Sequence, residues 1–296
     1  MSAESQGALI NGVMIVAKRW AVQAAFFIAI WIVCLLIAGP TIIALICALM
    51  ASSGRLLIVM GRNEKEDARA MEDLAAGKVP GDGVWCAARG VAVSLEPAED
   101  TEAPLAFRFC SFDLKNRKGK GNRLEQVEEC RFDGFFMRPM GVRMATGTVR
   151  LLGFPNVSGM KQRALPDELV QKARDNASVL PRFLPRAVCR AIAAAEASKG
   201  IDWTVRYGEV RGASEGKTEG WVIREGDEIC VLGRRKGDVL VPARSRPSGL
   251  PAYTGNLRNL SAGVGGAGQW FETAGWVLVG ITLVILLGDA AIYYIY

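Results

Sequence analysis

The chain has 296 residues, half of them apolar, with a formal charge of +6 and no histidine. The missing histidine removes the commonest general base and the commonest metal ligand. Seven cysteines are present, Cys34 and Cys47 in an apolar run and Cys86, Cys110, Cys130, Cys189 and Cys230 in the middle. Their spacings are wide and contain no CxxC pair, so neither a zinc site nor a disulfide framework is indicated, and they read as small buried hydrophobes or reduced thiols.

Apolar residues crowd the two ends. Residues 1–50 and 274–296 hold only four charged groups, Glu4, Lys18, Arg19 and Asp289, which sum to zero. The whole basic excess therefore sits in the middle. A mild excess suits an anionic lipid surface or an acidic partner. It is spread diffusely, so the plainer reading is ordinary solubility.

After an N-terminal tail (1–20), residues 21–50 contain a single strongly polar residue, Gln23. About twenty apolar residues cross a bilayer as a helix, and a signal peptide would have an apolar stretch of only about 7–15, so this segment reads as a first transmembrane helix. Lys18, Arg19 and Trp20 mark one interface and Arg55 the other. Gly39-Pro40 falls inside the run and predicts a kink, because proline removes a donor and clashes with the preceding turn. A re-entrant hairpin turning at Pro40 is the alternative, but each arm would be too short to span. One kinked helix is the expectation.

A juxtamembrane helix and linker follow (51–80), rich in helix formers from Glu64 to Ala76 and broken by Gly77-Lys78-Val79-Pro80-Gly81. Residues 81–250 then read as a β-rich soluble domain. Strands are predicted over Val84–Leu95, Leu105–Leu114, two within Gly134–Gly153 around Gly141 or Gly147, and Trp203–Arg211, Gly220–Ile223, Glu228–Gly233 and Val239–Ala243. Short strands between glycine turns suggest a small antiparallel barrel or sandwich, OB-like in scale. A helical insertion (166–197) interrupts them, with a break at Pro181 to Pro185.

Residues 251–270 read as a glycine-rich linker, Gly263 to Gln269 (GVGGAGQ) being a flexible juncture that lacks the Lys-Ser/Thr of a phosphate loop. A second transmembrane helix occupies 271–296, with Trp270, Phe271 and Trp276 at one end and Tyr293, Tyr294 and Tyr296 at the other. Asp289 is the acid near its far end, either a buried contact for a partner helix or proton, or a hydrated residue at the interface beside the tyrosines. The fold class is thus an α+β membrane protein in which two transmembrane helices flank the β domain. Two spans place both termini on one side. Arg55, Arg62, Lys65, Arg69 and Arg258 against Lys18 and Arg19 place the domain in the cytoplasm, if the membrane is a plasma (inner) membrane.

Two basic clusters stand out. Lys115, Arg117, Lys118 and Lys120 crowd a glycine-containing tip, and Arg234, Arg235 and Lys236 precede the turn Gly237-Asp238. Both could touch phosphates, though solvated turns are the plainer reading. Gly212-Ala213-Ser214-Glu215-Gly216 matches the nucleophile-elbow pattern by letter, but that motif needs a strand-to-helix turn and a histidine partner. Glu225 and Asp227 flank Gly226 in a turn, where acids are common. No catalytic set, metal site or cofactor site emerges.

The order of landmarks resembles the membrane-flanked domain of GIDE-type proteins, the family that includes mitochondrial membrane-anchored ubiquitin ligases. The matching features are Met71-Glu72-Asp73-Leu74-Ala75-Ala76-Gly77, a strand with a central glycine (Cys86 to Ala92), Ala103-Pro104 followed by Cys110, paired strands within Phe135 to Leu151, and Ile223-Arg224-Glu225-Gly226-Asp227-Glu228-Ile229-Cys230-Val231-Leu232-Gly233. The resemblance covers roughly residues 60–296 and implies the beside-a-membrane domain. Ligase members of that family carry a RING after the second span; here the sequence ends at Tyr296 with no zinc pattern, as in the RING-less prokaryotic members.

The expectation is therefore a membrane-tethered, non-enzymatic module that binds a protein partner or the lipid surface, with no cofactor and no nucleic acid, and with homo-oligomerisation open. One alternative is a component of a ubiquitin-ligase-like system that needs a separate RING subunit. Another is an oligomeric channel or transport subunit built around Asp289.

Overall fold

The computed structural model describes residues 21–37, 42–96, 104–118, 124–158, 168, 171, 178–179, 192–193, 197, 203–206, 214–243 and 249–295. It divides into a helical unit, within residues 14–78 and 256–296, and a β unit, within residues 79–255.

Among the described residues the helical unit holds three helices, α1 (Ala21–Ile37), α2 (Ile42–Ala75) and α3 (Leu257–Ile295). α2 and α3 are long and apolar enough to cross a membrane by length and composition; α1 is shorter. Gln23 Nε2 donates to the Ser52 carbonyl at 3.2 Å, and Arg55 Nη1 donates to Gln23 Oε1 at 2.7 Å. The Arg55 guanidinium also lies 4.3 Å from the Phe26 ring centre. A continuous helix would separate positions 23 and 52 by about 44 Å, at 1.5 Å per residue. α1 and α2 therefore run antiparallel, and the expected single kinked helix over 21–50 is replaced by a helical hairpin. Glycine and proline together disfavour continuation, and folding back lets Gln23 and Arg55 satisfy each other among apolar neighbours. Gly39 and Pro40 themselves lie outside the described residues.

α2 does not end near Met50; it runs unbroken to Ala75. Cys34 of α1, Ala44, Cys47 and Ala48 of α2, and Leu286 of α3 form the core where the three helices meet. Along the α2–α3 seam small residues admit the closest backbone approaches. A Cβ on Gly54 would sit 2.8 Å from the Gly275 carbonyl, one on Gly61 would sit 2.5 Å from the Gly268 carbonyl, and one on Gly265 would meet the Ala68 methyl at 3.3 Å. Cys47, Gly54, Gly61 and Ala68 recur every seven residues, as do Gly268, Gly275 and Thr282, so each set keeps to one face of its helix. Partner numbers rise on one helix as they fall on the other, as antiparallel packing requires.

This seam corrects the reading of 251–270 as a flexible linker, since α3 begins at Leu257. A helical glycine costs about 1 kcal/mol relative to alanine. At Gly268 that cost admits the α2 backbone, and a methyl there would lie 2.8 Å from the Gly61 carbonyl. Glu272 of α3 then pairs with Lys65 at 2.6 Å and Arg62 at 3.4 Å. Beyond Gly61, α2 continues over residues 62–75, roughly 21 Å at 1.5 Å per residue.

The β unit comprises β1 (Trp85–Ser94), β2 (Ala106–Lys118), β3 (Leu124–Met137), β4 (Met140–Met144), β5 (Gly147–Leu151), β6 (Pro155–Ser158), β7 (Ser178–Val179), β8 (Trp203–Arg206), β9 (Ser214–Ile223), β10 (Glu228–Lys236), β11 (Val239–Val241) and β12 (Leu250–Tyr253). β1, β4, β5, β11 and β10 pair in that order, and β10 pairs again with β1, closing a five-stranded barrel. Within the ring only β5 and β11 are parallel. β12 pairs with β10, and β6 with β12, on its flank. The second sheet runs β7-β8-β3-β2-β9, with β2 and β3 forming a long antiparallel arm between barrel strands β1 and β4.

Alternation explains the ring. Ala92, Val142 and Val149 are in register across β1, β4 and β5 and turn inward, as do Leu151 and Leu240. Outside the ring, Phe154 contacts Phe135 of β3 edge-on at 5.3 Å and Trp221 of β9 at 5.4 Å. Phe109 is fully buried over Gly134, where any Cβ would collide with its ring. The α+β expectation with a small barrel holds, though most of β3 and all of β6, β7 and β12 were not expected, and β2, β9 and β10 are longer than read. Of the expected helical insertion (166–197), the described helical residues are Glu168, Gln171, Ile192, Ala193 and Ala197, and Ser178–Val179 form β7; the rest lies outside the described residues.

Candidate functional site

Lys115, Arg117 and Lys118 fall at the end of β2, in register with Val127, Glu125 and Leu124 of β3. Lys120 lies outside the described residues. Arg234, Arg235 and Lys236 end β10, and strand alternation divides them. Arg235 is in register with inward-facing Leu240. Its guanidinium donates to the Pro80 carbonyl at 3.3 Å and the Gly237 carbonyl at 3.0 Å. Its carbonyl accepts the Gly83 amide at 2.8 Å, and Asp82 Oδ1 accepts the Gly237 amide at 2.8 Å. Arg235 thus fastens the chain's entry into the barrel and is removed from the candidate surface. Arg234 and Lys236 are exposed on the other side of the strand.

Register carries two further cations to that side. Lys236 is opposite Val239 of β11, Val239 is opposite Arg150 of β5, and Arg150 is opposite Gly141 of β4. Arg143, two residues beyond Gly141, shares its face and is opposite Thr148. Arg143, Arg150, Arg234 and Lys236 are all exposed, and none forms an ion pair among the described residues. β4, β5 and β11 contain no acidic residue and no aromatic one. The bordering acids are Asp238 in the β10–β11 turn and Glu228, the latter reached from Arg143 through Val91 and already paired with Arg89 at 3.4 Å. Trp85 lies opposite Arg234. The result is a basic, acid-free barrel wall. Arg143 and Arg150 were missed from sequence because each is a lone arginine in a five-residue strand. The signal that could have found them is their outward phase, each following a buried valine, Val142 or Val149.

Other polar groups serve the fold. Asp133 is fully buried, 3.6 Å from Arg108, whose guanidinium also lies 5.4 Å from the Phe135 ring centre. Burial pushes the Cys230 thiol up to about 12, with Arg89 pulling the other way, and raises the Cys86 thiol against the pull of Arg235. A thiol is nucleophilic as its thiolate, so neither is suited to covalent chemistry at neutral pH. Ser214 begins β9, which is not the strand-to-helix turn a nucleophile elbow needs. No group of three His, Cys, Asp or Glu side chains among the described residues is placed to hold a metal ion. Asp289 is half-buried, one turn beyond Leu286 of the three-helix core.

Comparison with protein-family models, curated proteins and solved structures finds no match to this chain.

Proposed function

We propose that the protein is a membrane-anchored, non-enzymatic interaction module, its helical unit seated in a bilayer and its β unit presented to a protein partner. The observation that carries this reading is the outward face of the helical unit. Leu36, Ile42, Val284 and Leu287 are each more than 60% exposed, an apolar surface that water penalises and lipid does not. The hairpin bears on orientation. It returns Arg55 to the beginning of α1, which Lys18 and Arg19 immediately precede. Arg62, Lys65, Arg69 and Arg258 lie toward that same end, while residues 36–54 and 273–296 contain no lysine or arginine. On this reading α1 and α2 enter and leave from one side, the N-terminus and the β unit share the cytoplasmic side of a plasma membrane, and the end of α3 lies opposite.

The ring order of the barrel, with its one parallel pair between the third and fifth strands, supports an OB-like domain. The order of motifs supports a relation to the beside-a-membrane domain, and the lack of any acid–base or nucleophile set in the sequence supports a binding role.

Two measurements test the proposal. Impermeant maleimide should label cysteines placed at Ser5 and at Asp238 from the same side of sealed vesicles and one placed at Tyr296 from the other. Labelling of Ser5 and Tyr296 from one side overturns the hairpin orientation. Crosslinking in native membranes should capture a protein partner that is lost when residues 84–250 are deleted; capture that is indifferent to the deletion overturns the interaction role.

A further inference from the structure

We infer that the outer wall of β4, β5, β11 and the end of β10 docks an acidic protein segment. This rests on the interaction-module reading and names the partner's chemistry. Arg143 of β4, Arg150 of β5, and Arg234 and Lys236 of β10 form a surface that spans β11, exposed and without an ion-pair partner among the described residues. Like charges gathered on one wall repel one another, and a complementary partner relieves that repulsion. Three of the four are arginines, whose planar guanidinium matches a carboxylate with two parallel hydrogen bonds.

The spacing fits an extended chain. Arg150 and Lys236 are two strand steps apart, about 10 Å. Arg143 and Arg150 stand diagonally across one strand step, about 7–8 Å. Alternate residues of an extended segment are about 6.8 Å apart on one face. Carboxylates at every second position would therefore reach successive cations. The ring is closed here, so β4 and β5 have no free edge for strand addition and the side chains must provide the recognition.

Two other anionic partners fit less well. Single-stranded nucleic acid needs aromatic platforms for successive bases, and Trp85 is the only aromatic in register with the patch among the described residues. A lipid surface reads charge without register, whereas Arg143, Arg150 and Arg234 are guanidinium groups set at strand spacings that suit paired hydrogen bonds to successive carboxylates.

The test uses the full chain in phosphatidylcholine nanodiscs and a fluorescent oligo-glutamate peptide, read by anisotropy across a salt series. Binding should weaken with salt and fall at least about ten-fold in the double variant Arg143→Glu, Arg150→Glu, with a smaller loss in Arg143→Gln, Arg150→Gln. The variant Lys115→Glu, Arg117→Glu, at the end of β2, should bind as the wild type does. All variants should keep the wild-type circular dichroism, because every altered wall residue is exposed. Equal binding by the Arg143/Arg150 variants overturns the inference. So does preferential binding of oligothymidylate, or a loss confined to phosphatidylserine vesicles. If the partner captured from membranes is held equally by Arg143→Glu, Arg150→Glu protein, the interaction module stands and this surface falls. If no partner is captured and the peptide does not bind, both fall.

Discussion

The two units use glycine in opposite ways. In the helical unit Gly54, Gly61, Gly268 and Gly275 have ordinary helical backbones and matter because another helix backbone lies where their side chains would be. In the β unit Gly147, Gly226 and Gly237 have φ of 131°, 91° and 60° with open space around them, and matter because other residues resist that backbone. The cores differ in parallel. Cysteine, alanine and a leucine form the three-helix core, whereas phenylalanine, methionine, isoleucine and leucine fill the β unit. Helices that approach through small residues gain contacts over a long seam without large side chains, which is how helices associate where water provides no drive. The barrel and its second sheet gain from burying large apolar groups.

The largest expected effects come from exchanging these strategies. Phe109→Ala should cost about 3–5 kcal/mol in the β unit, the range for emptying a buried aromatic site, seen as a lower denaturant midpoint for the tryptophan signal. Because the Phe109 ring occupies the space above Gly134, Gly134→Ala should destabilise the wild type but less so a Phe109→Leu background. Equal effects in both backgrounds would show that the ring is not what excludes the methyl.

In the helical unit Gly61→Leu should cost about 1–3 kcal/mol or more by overpacking, because its side chain would enter the backbone of Gly268 and Glu272. Gly280→Leu, on the same helix as Gly268 but with open space around it, should be near neutral. Thermal unfolding in detergent separates the two. Equal melting temperatures for both variants would mean that the seam does not control stability.

A smaller effect is expected in alkali. Burial raises the Cys230 thiol from its ordinary value of 9.0 to about 12. The folded state then holds a proton that the unfolded chain releases. The stability this contributes is intact below about pH 9 and is lost as pH rises from there toward the folded value. Cys230→Ala should flatten the alkaline decline in stability, and iodoacetamide should leave Cys230 unmodified at neutral pH until the protein unfolds. Alkylation of the folded protein at neutral pH would contradict both.

What could be read in the sequence was whatever depends on neighbours along the chain. Apolar runs located most of α3 and, read as one span over 21–50, α1 with only the first part of α2, and glycine turns with alternating stretches located β1, β5, β10 and β11. Pairing between distant residues was not legible. Gln23 and Arg55 each look like isolated polar residues in apolar surroundings, and only the hairpin makes them a hydrogen-bonded pair. GVGGAGQ was read as a linker because composition does not separate a glycine that frees the backbone from one that admits another helix. β6 and β12, read as PNVS and LPAY, are four residues long, and each contains a proline that argues against a strand. The basic wall depends on register. Arg234, Arg235 and Lys236 look like one cluster, yet alternation sends Arg235 inward and brings in Arg143 and Arg150.

The smallest predicted effect tests whether charge or close packing holds α2 to α3 beyond their apolar stretches. Glu272 accepts from Lys65 at 2.6 Å and from Arg62 at 3.4 Å, and Arg62 is largely exposed. Exposed pairs contribute little and are screened by salt. Glu272→Gln should therefore lower the melting temperature in detergent at low salt by much less than Gly61→Leu does, and the difference from wild type should vanish at high salt. Gly61→Leu should remain destabilised at every salt concentration, since a steric collision is not screened. If Glu272→Gln instead matched Gly61→Leu and persisted at high salt, the ion pairs would hold the helices together and the glycines would merely permit the approach.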